Sequence, residues 1–242
     1  MKIPLIYIPN TKFKRFLYVE KSFSSLNTII PLGCDCHPAY CLQKLHIRTQ
    51  SFPFDWLNTK ASKGIFFVND NIETGFTHFL DNLIVNANGN VISNHYPDTE
   101  FIHEADLIGN ADSHLKIKRR IKRFQEIVNK NAVSFLYNIP VAQLTNNGDI
   151  EELLTSIRSF VSKLPEDGQL HIYLRYDEAD DENKELSATL FQALKTINKI
   201  RVVKYTRQFS KYGIWGDKSK YPDLLKRLGI PLQRTFPKIY IK

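Results

Sequence analysis

The chain has 242 residues, 43% of them hydrophobic, with 16 Phe and 11 Tyr. That is enough apolar material for a real core. A mean hydropathy of −0.30 without a long apolar run excludes a membrane span, and three cysteines, an odd number, argue against a disulfide scaffold. The formal net charge of +8 favours anionic partners: nucleic acid, phosphorylated sugars, acidic glycans or an anionic membrane surface.

In chain order, Ile3 to Ile8 reads as a short strand, placed at a sheet edge by Pro4 and Pro9. It is too short and too broken by proline for a signal peptide, so a cytoplasmic, reducing setting is expected. Residues 10–27 read as a basic, aromatic lead-in. The apolar run Thr28-Ile29-Ile30-Pro31-Leu32 predicts a strand that breaks at Gly33. From Pro38 the spacing of Ala39, Leu42 and Leu45 predicts a helix, with proline in its first turn. Cys36 therefore falls at a helix N-terminus, where unpaired N–H groups and the dipole favour an ionised thiol. Cys34 sits in the turn as a resolving thiol or an inert one, and Cys41 reads as core filler.

The segment QSFPFDW, residues 50–56, reads as a rigid aromatic turn, with Asp55 placed to cap a following helix. Two short helices are expected over 60–69 and 72–80. Asn88-Gly89 predicts a hairpin between 83–85 and 91–93. Residues 94–114 are densely polar and hold His95, His103 and His114. Over 116–130 the spacing of Ile117, Ile121, Phe124 and Val128 predicts a helix whose other face carries Lys116, Lys118, Arg119, Arg120, Lys122 and Arg123. Strands are expected at 133–139, 170–176 and 201–206, helices at 150–164, 183–197 and 221–228, and a surface loop at 177–183. A last strand at 238–241 is expected to close the sheet.

This alternation predicts an α/β fold. The expected form is a single domain over 1–242, three-layered and Rossmann-like, with a mostly parallel sheet, helices on both faces and a less regular insertion around residues 50–115. Ligands of such a sheet bind beyond the carboxyl ends of its strands, which is where the Gly33–Cys36 turn should lie.

A cysteine hydrolase or acyl transferase needs a thiol, an imidazole to take its proton and a group that orients the imidazole. Cys36 supplies the thiol. His103 is the first candidate for the base, ahead of His95, and Asp106 is the candidate orienting group, ahead of Asn94. Substrate contacts are expected from Gly33 and His37, with the N–H groups of the Cys34–His37 turn as an oxyanion hole, and from Asp55 and His95. Arg119, Arg120 and Arg123 would hold an anionic group. The crowding of Cys34, Cys36, His37 and Cys41 lacks zinc spacing, so no metal and no cofactor are expected.

The stretch PLGCDCHPAYCLQKLHIRTQSFPFDW resembles the opening motif of a bacterial and viral family of unknown function, described as papain-like cysteine peptidases. Leu32, Gly33, Cys36, Arg48, Pro53, Phe54, Asp55 and Trp56 carry that motif. Phe101, His103 and Glu104 resemble its second segment; Arg119, Arg120, Ile121, Arg123 and Phe124 its helix; and Trp215-Gly216-Asp217 a late element. On this footing the resemblance runs over most of the chain. It implies Cys36 as nucleophile and His103 as its base. It also implies a papain-like pairing of a helical lobe with an antiparallel barrel-like sheet, where the periodicity predicts parallel α/β. The strand–Gly–nucleophile–helix start is equally similar to hydrolases that present a serine at that point.

Three functional classes are thus expected. The first is a cysteine-dependent hydrolase, peptidase or acyl transferase acting on an anionic small molecule, glycan or peptide. The second is a transferase or hydrolase whose Gly33–Cys36 turn binds the phosphate of a phosphorylated or glycan substrate. The third is a non-catalytic module reading an anionic partner, with nucleic acid the less favoured choice, through the basic helix.

Overall fold

The computed structural model describes residues 1–128, 133–178 and 184–242. In chain order the strands are β1 (Lys2–Tyr7), β2 (Lys14–Ser24), β3 (Thr28–Pro31), β4 (Asn58–Thr59), β5 (Leu83–Val85), β6 (Val91–Ser93), β7 (Tyr96–Phe101), β8 (Val133–Pro140), β9 (Gln169–Asp177), β10 (Ile200–Arg207) and β11 (Gln233–Ile241). The helices are α1 (His37–Lys44), α2 (Gly64–Glu73), α3 (Ala111–Ile127), α4 (Asn147–Ser162), α5 (Lys184–Lys195), the single turn α6 (Phe209–Tyr212) and α7 (Tyr221–Arg227).

The fold is mixed α/β, but the expected mostly parallel sheet is only one of three. That sheet has the order β10-β9-β8-β3, and every pairing in it is parallel. Its central strand, VSFLYNIP, is buried throughout, because a strand covered on both faces has no polar side to show. The period of two sorts its residues. Phe135, Tyr137 and Ile139 join Leu170, Ile172 and Leu174 in a core shared with α2, α3, α4 and α5. Leu136, Tyr173 and Tyr205 face the other way, onto Cys41, Leu42 and Leu45 of α1 and Tyr221, Leu224 and Leu225 of α7.

The insertion around residues 50–115 has an antiparallel sheet of its own, in the order β4-β7-β6-β5. The Asn88-Gly89 hairpin is present, with Gly89 at φ +79° and Leu83 opposite Ser93. The helix expected over 72–80 is not: α2 ends at Glu73, and Gly75 and Phe76 both take positive φ, which no right-handed helix accommodates. The basic helix starts at Ala111 rather than 116, because the Asn110 side chain accepts from the N–H groups of Asp112 at 2.9 Å and Ser113 at 3.2 Å. Its expected last two residues, the start of the helix expected from 183 and most of the 177–183 loop lie outside the described residues.

The third sheet has the order β1-β2-β11. Residues 14–24, within the expected basic, aromatic lead-in, form an eleven-residue strand. No residue of that strand is fully buried, so no apolar–polar alternation marks it. β11 does not close the parallel sheet. It pairs antiparallel with β2, Ile239 opposite Val19 and Ile241 opposite Leu17.

Candidate active site

Cys36 lies where β3 hands over to α1. The chain leaves the parallel sheet at Pro31, turns at Gly33 and enters the helix with Cys36 as its N-cap residue and Pro38 in the first turn. Gly33 takes φ +43°, and a Cβ there would stand 2.4 Å from the Phe54 carbonyl oxygen. Only glycine lets the turn at 33 and the aromatic turn at 52–56 pack backbone to backbone.

The aromatic turn is built from the inside out. Phe54 is buried against Phe67, Phe76, Phe79 and Phe124. The Asp55 carboxylate, also buried, accepts from Arg48 Nε at 3.1 Å and from the Phe52 N–H at 3.0 Å. Asp55 therefore closes its own turn; no helix follows for it to cap, and burial leaves it no substrate to touch. From Trp56 the chain runs into β4. There the Thr59 N–H donates to the Cys34 carbonyl at 2.8 Å, and Asn58 stands opposite Glu100 of β7. The short strand β4 thus bridges the cysteine turn and the strand leading to His103.

The consequence is a contact between residues 67 apart in sequence: Cys36 Sγ lies 3.4 Å from His103 Nε2. The Trp56 ring meets His103 edge to face at 5.6 Å and carries the Arg48 guanidinium at 5.2 Å from its centroid.

Residues 27–108 match the model of a family described as Putative papain-like cysteine peptidase (DUF1796). This is the family the sequence resembles. The match holds the Leu-Gly-x-x-Cys and Pro-Phe-Asp-Trp motifs and His103, and stops short of α3 and the Trp215-Gly216-Asp217 element, so it covers less of the chain than the resemblance suggested. No curated protein and no solved structure matches the chain.

The electrostatics of the thiol differ from the expectation of a readily ionised cysteine. Cys36 is 7% exposed. Burial pushes its thiol up to about 12, the Asp35 charge adds to this and Asp55 contributes in the same direction; the backbone N–H of Cys36 opposes them. A helix N-terminus favours the thiolate, but here a carboxylate stands beside it. Asp35 accepts from the His37 N–H at 2.9 Å and Asn138 Nδ2 at 3.1 Å, and pairs with Arg175. Burial would raise the Asp35 carboxyl, yet the Arg175 charge and these hydrogen bonds hold it below its ordinary range. The turn is therefore already occupied by the protein's own anion, and the His37 N–H expected in an oxyanion hole is taken.

The remaining expected site residues scatter. The His37 ring is buried, bonded to the Tyr173 hydroxyl at 2.7 Å and surrounded by Tyr205 and Tyr221; burial lowers it to about 4, so it is a neutral core residue and not a substrate contact. Asp106 accepts from Asn110 Nδ2 at 2.6 Å and Ser113 Oγ at 3.1 Å, securing the start of α3 instead of orienting His103. His95 is exposed and stacks on His78 at 4.1 Å. Among the described residues no acid hydrogen-bonds His103, so packing on Trp56 holds its ring.

The three arginines also part company. Arg119 is exposed, and Arg123 Nε donates to its carbonyl at 3.2 Å. Arg120 is buried and pairs with Glu104 at 3.1 Å; Lys116 reaches the same carboxylate at 2.8 Å. An anion clamp of all three does not exist, because a 100° step between neighbouring helix residues separates Arg119 from Arg120. Arg120 instead anchors the residue next to His103, and its charge also acts on Asp55. Cys34 is buried and donates to the Thr59 carbonyl at 3.0 Å; Cys41 is buried in the α1–α7 core. Among the described residues no cluster of His, Cys, Asp and Glu could hold a metal ion, and no helix is long and apolar enough to cross a membrane.

Sequence reasoning passed over Asp35 and Arg175. Both left a signal. Asp35 precedes a Cys-His-Pro helix start, the place for a side chain that accepts backbone N–H groups. Arg175 interrupts the buried strand LHIYLRY, and a charge there demands a partner.

Proposed function

We propose that the protein is a cysteine-dependent hydrolase, peptidase or acyl transferase, with Cys36 as nucleophile and His103 as general base. The observation that carries this is the 3.4 Å approach of Cys36 Sγ to His103 Nε2, inside the stretch that matches the peptidase family model. Cys36 lies beyond the carboxyl end of β3 in the parallel sheet β10-β9-β8-β3, the side on which open parallel sheets bind ligands.

Because burial and Asp35 keep the thiol protonated, the two groups act in sequence and not as a standing ion pair. His103 Nε2 takes the Sγ proton as the sulfur attacks an acyl carbon, and the carbonyl oxygen becomes an oxyanion. Collapse expels the leaving group, which takes the proton from the imidazolium, and leaves a thioester on Cys36. Water, deprotonated by His103, hydrolyses that thioester and restores the thiol; an amine or alcohol in place of water makes the same chemistry a transfer.

The phosphate-binding reading of the turn is weakened by Asp35, whose carboxylate sits where the phosphate would. The basic-helix module loses Arg120 to Glu104.

The test is alkylation of the native protein by iodoacetamide at mildly alkaline pH, read by mass spectrometry. One adduct, at Cys36, is expected, with labelling slowed about tenfold by His103→Ala. Labelling indifferent to His103, or spread equally over Cys34 and Cys41, would overturn the assignment.

A further inference from the structure

The net charge of the protein is not spread over its surface. The segments that build β1-β2-β11, residues 1–24 and 233–242, carry Lys2, Lys12, Lys14, Arg15, Lys21, Arg234, Lys238 and Lys242 against the single acid Glu20. Seven of the eight net positive charges therefore sit on this one sheet. The rest of the chain, with the candidate active site, is close to neutral.

The same sheet has no buried residue on any of its three strands. It nonetheless carries large apolar side chains in the open. Phe236 is 94% exposed, Phe13 71%, and Ile239 and Ile241 62% each. Leu5, Ile6 and Ile8 are exposed beside them. Ile239 and Ile241 share one face with their partners Val19 and Leu17. On the opposite face Tyr18 stacks on Tyr240 at 5.2 Å, and Lys2 lies 3.9 Å over the Phe16 ring. Where the sheet meets α1 and α7 there is a groove of about 790 Å³, lined by five lysines and arginines, Lys21, Lys44 and Lys226 among them, against Glu20 and Asp223. The edge strand β11 is broken at Pro237 by a register shift between Thr235 and Lys238, which blunts addition of another strand. The other edge strand, β1, holds Pro4 and shifts register between Pro4 and Ile6, so the face of the sheet is what remains for a partner.

Along β2 the period of two sets Arg15 and Lys21 on the same face as Leu17 and Val19, and a face at once cationic and aliphatic has a definite chemical counterpart. Isolated charge would suit any polyanion, but leucine and isoleucine gain nothing from a nucleic-acid base, which stacks on flat rings. Lysines over a layer of phosphates, with phenylalanine and isoleucine reaching the acyl boundary, satisfy both halves of the pattern. We propose that β1-β2-β11 is a docking platform for an anionic lipid bilayer, which would hold the protein at a membrane surface without crossing it. The three strands of the platform lie outside residues 27–108. The proposal does not depend on Cys36.

The experiment is co-flotation of the full chain with vesicles of phosphatidylcholine alone, and with about 30% phosphatidylserine, at low and at high salt. Binding is expected to the anionic vesicles only and to fall about tenfold or more as salt is raised. Lys12→Glu/Lys14→Glu/Arg15→Glu should weaken it about tenfold or more. Phe236→Ser should weaken it without changing the salt response, and far-UV circular dichroism should show both variants folded. Equal partition to neutral and anionic vesicles, or to neither, would overturn the proposal. So would tight binding to single-stranded polyuridylate in place of vesicles, or a dimer in solution that buries Phe236.

Discussion

At the scale of single residues, the environment of Cys36 sets its reactivity. With the thiol pushed up to about 12 by burial and by Asp35, alkylation at neutral pH should be slower than for a free thiol and should rise about tenfold per pH unit through the mildly alkaline range, without a plateau. Asp35→Asn removes the carboxylate that opposes the thiolate, so it should speed alkylation at a given pH. It also leaves Arg175 without its charge partner, at a cost of about 3 kcal/mol in urea unfolding. Slower alkylation in that variant would show that Asp35 positions the sulfur more than it repels the charge. Gly33→Ala should be among the most damaging single-methyl changes, about 3 kcal/mol or more, because the new Cβ meets the Phe54 carbonyl oxygen at 2.4 Å and φ is +43°.

Two buried histidines tie stability to pH. His37 and His171 are both lowered to about 4 by burial, and His171 Nδ1 bonds the Leu228 carbonyl at 2.8 Å. A native value below that of the unfolded chain, near 6.5, means that the unfolded state binds more protons between the two. Stability therefore rises with pH across that window and is lost as pH falls from about 6.5 towards 4, by roughly 3 kcal/mol for each ring. Urea midpoints measured across this range should drop, and His171→Asn should flatten part of the slope. An unchanged slope in the variant would place the acid sensitivity elsewhere.

At the scale of elements, α3 serves the site through its buried side. Its exposed basic residues drew attention in the sequence, but Arg120 is the one tied to the segment carrying His103. Arg120→Met should cost about 2 kcal/mol, since it leaves the buried Glu104 with Lys116 as its remaining ion-pair partner, and should slow the labelling of Cys36. Arg119→Ala should leave both unfolding and labelling unchanged. Equal effects at the two positions would mean that the helix acts through its overall charge. The element decisive for the site is the two-residue strand β4, which bonds the cysteine turn on one side and β7 on the other. Nothing in the residues Asn58-Thr59 marks a strand; their partners make them one.

At the scale of the whole molecule, three sheets divide three tasks. The parallel sheet supplies the core and ends at Cys36. The antiparallel sheet of the insertion brings in the imidazole. The cationic sheet carries most of the net charge and touches the second core through Phe23. Expected from the bulk composition, a charge of +8 would be diffuse; folding the two ends of the sequence into one sheet concentrates it. The vesicle experiment belongs to this scale, because neither end of the chain has the platform alone.

Periodicity and backbone chemistry are local, and what they govern was legible from the residues: the strand–glycine–helix start at Cys36, the hairpin at Asn88-Gly89, the buried strands β8 and β9, and the candidacy of Cys36 and His103. What needed coordinates was every property set by a distant neighbour. The choice of partner for β11, the strand character of β2 and β4, the loss of His37 and Asp55 to the interior, the turning of Asp106 towards Ser113 and the parting of Arg119 from Arg120 all depend on which surface a residue meets. So does the protonation of Cys36: Asp35 is its neighbour in any conformation, but burial of the sulfur and the approach of Asp55 come only once the chain has folded.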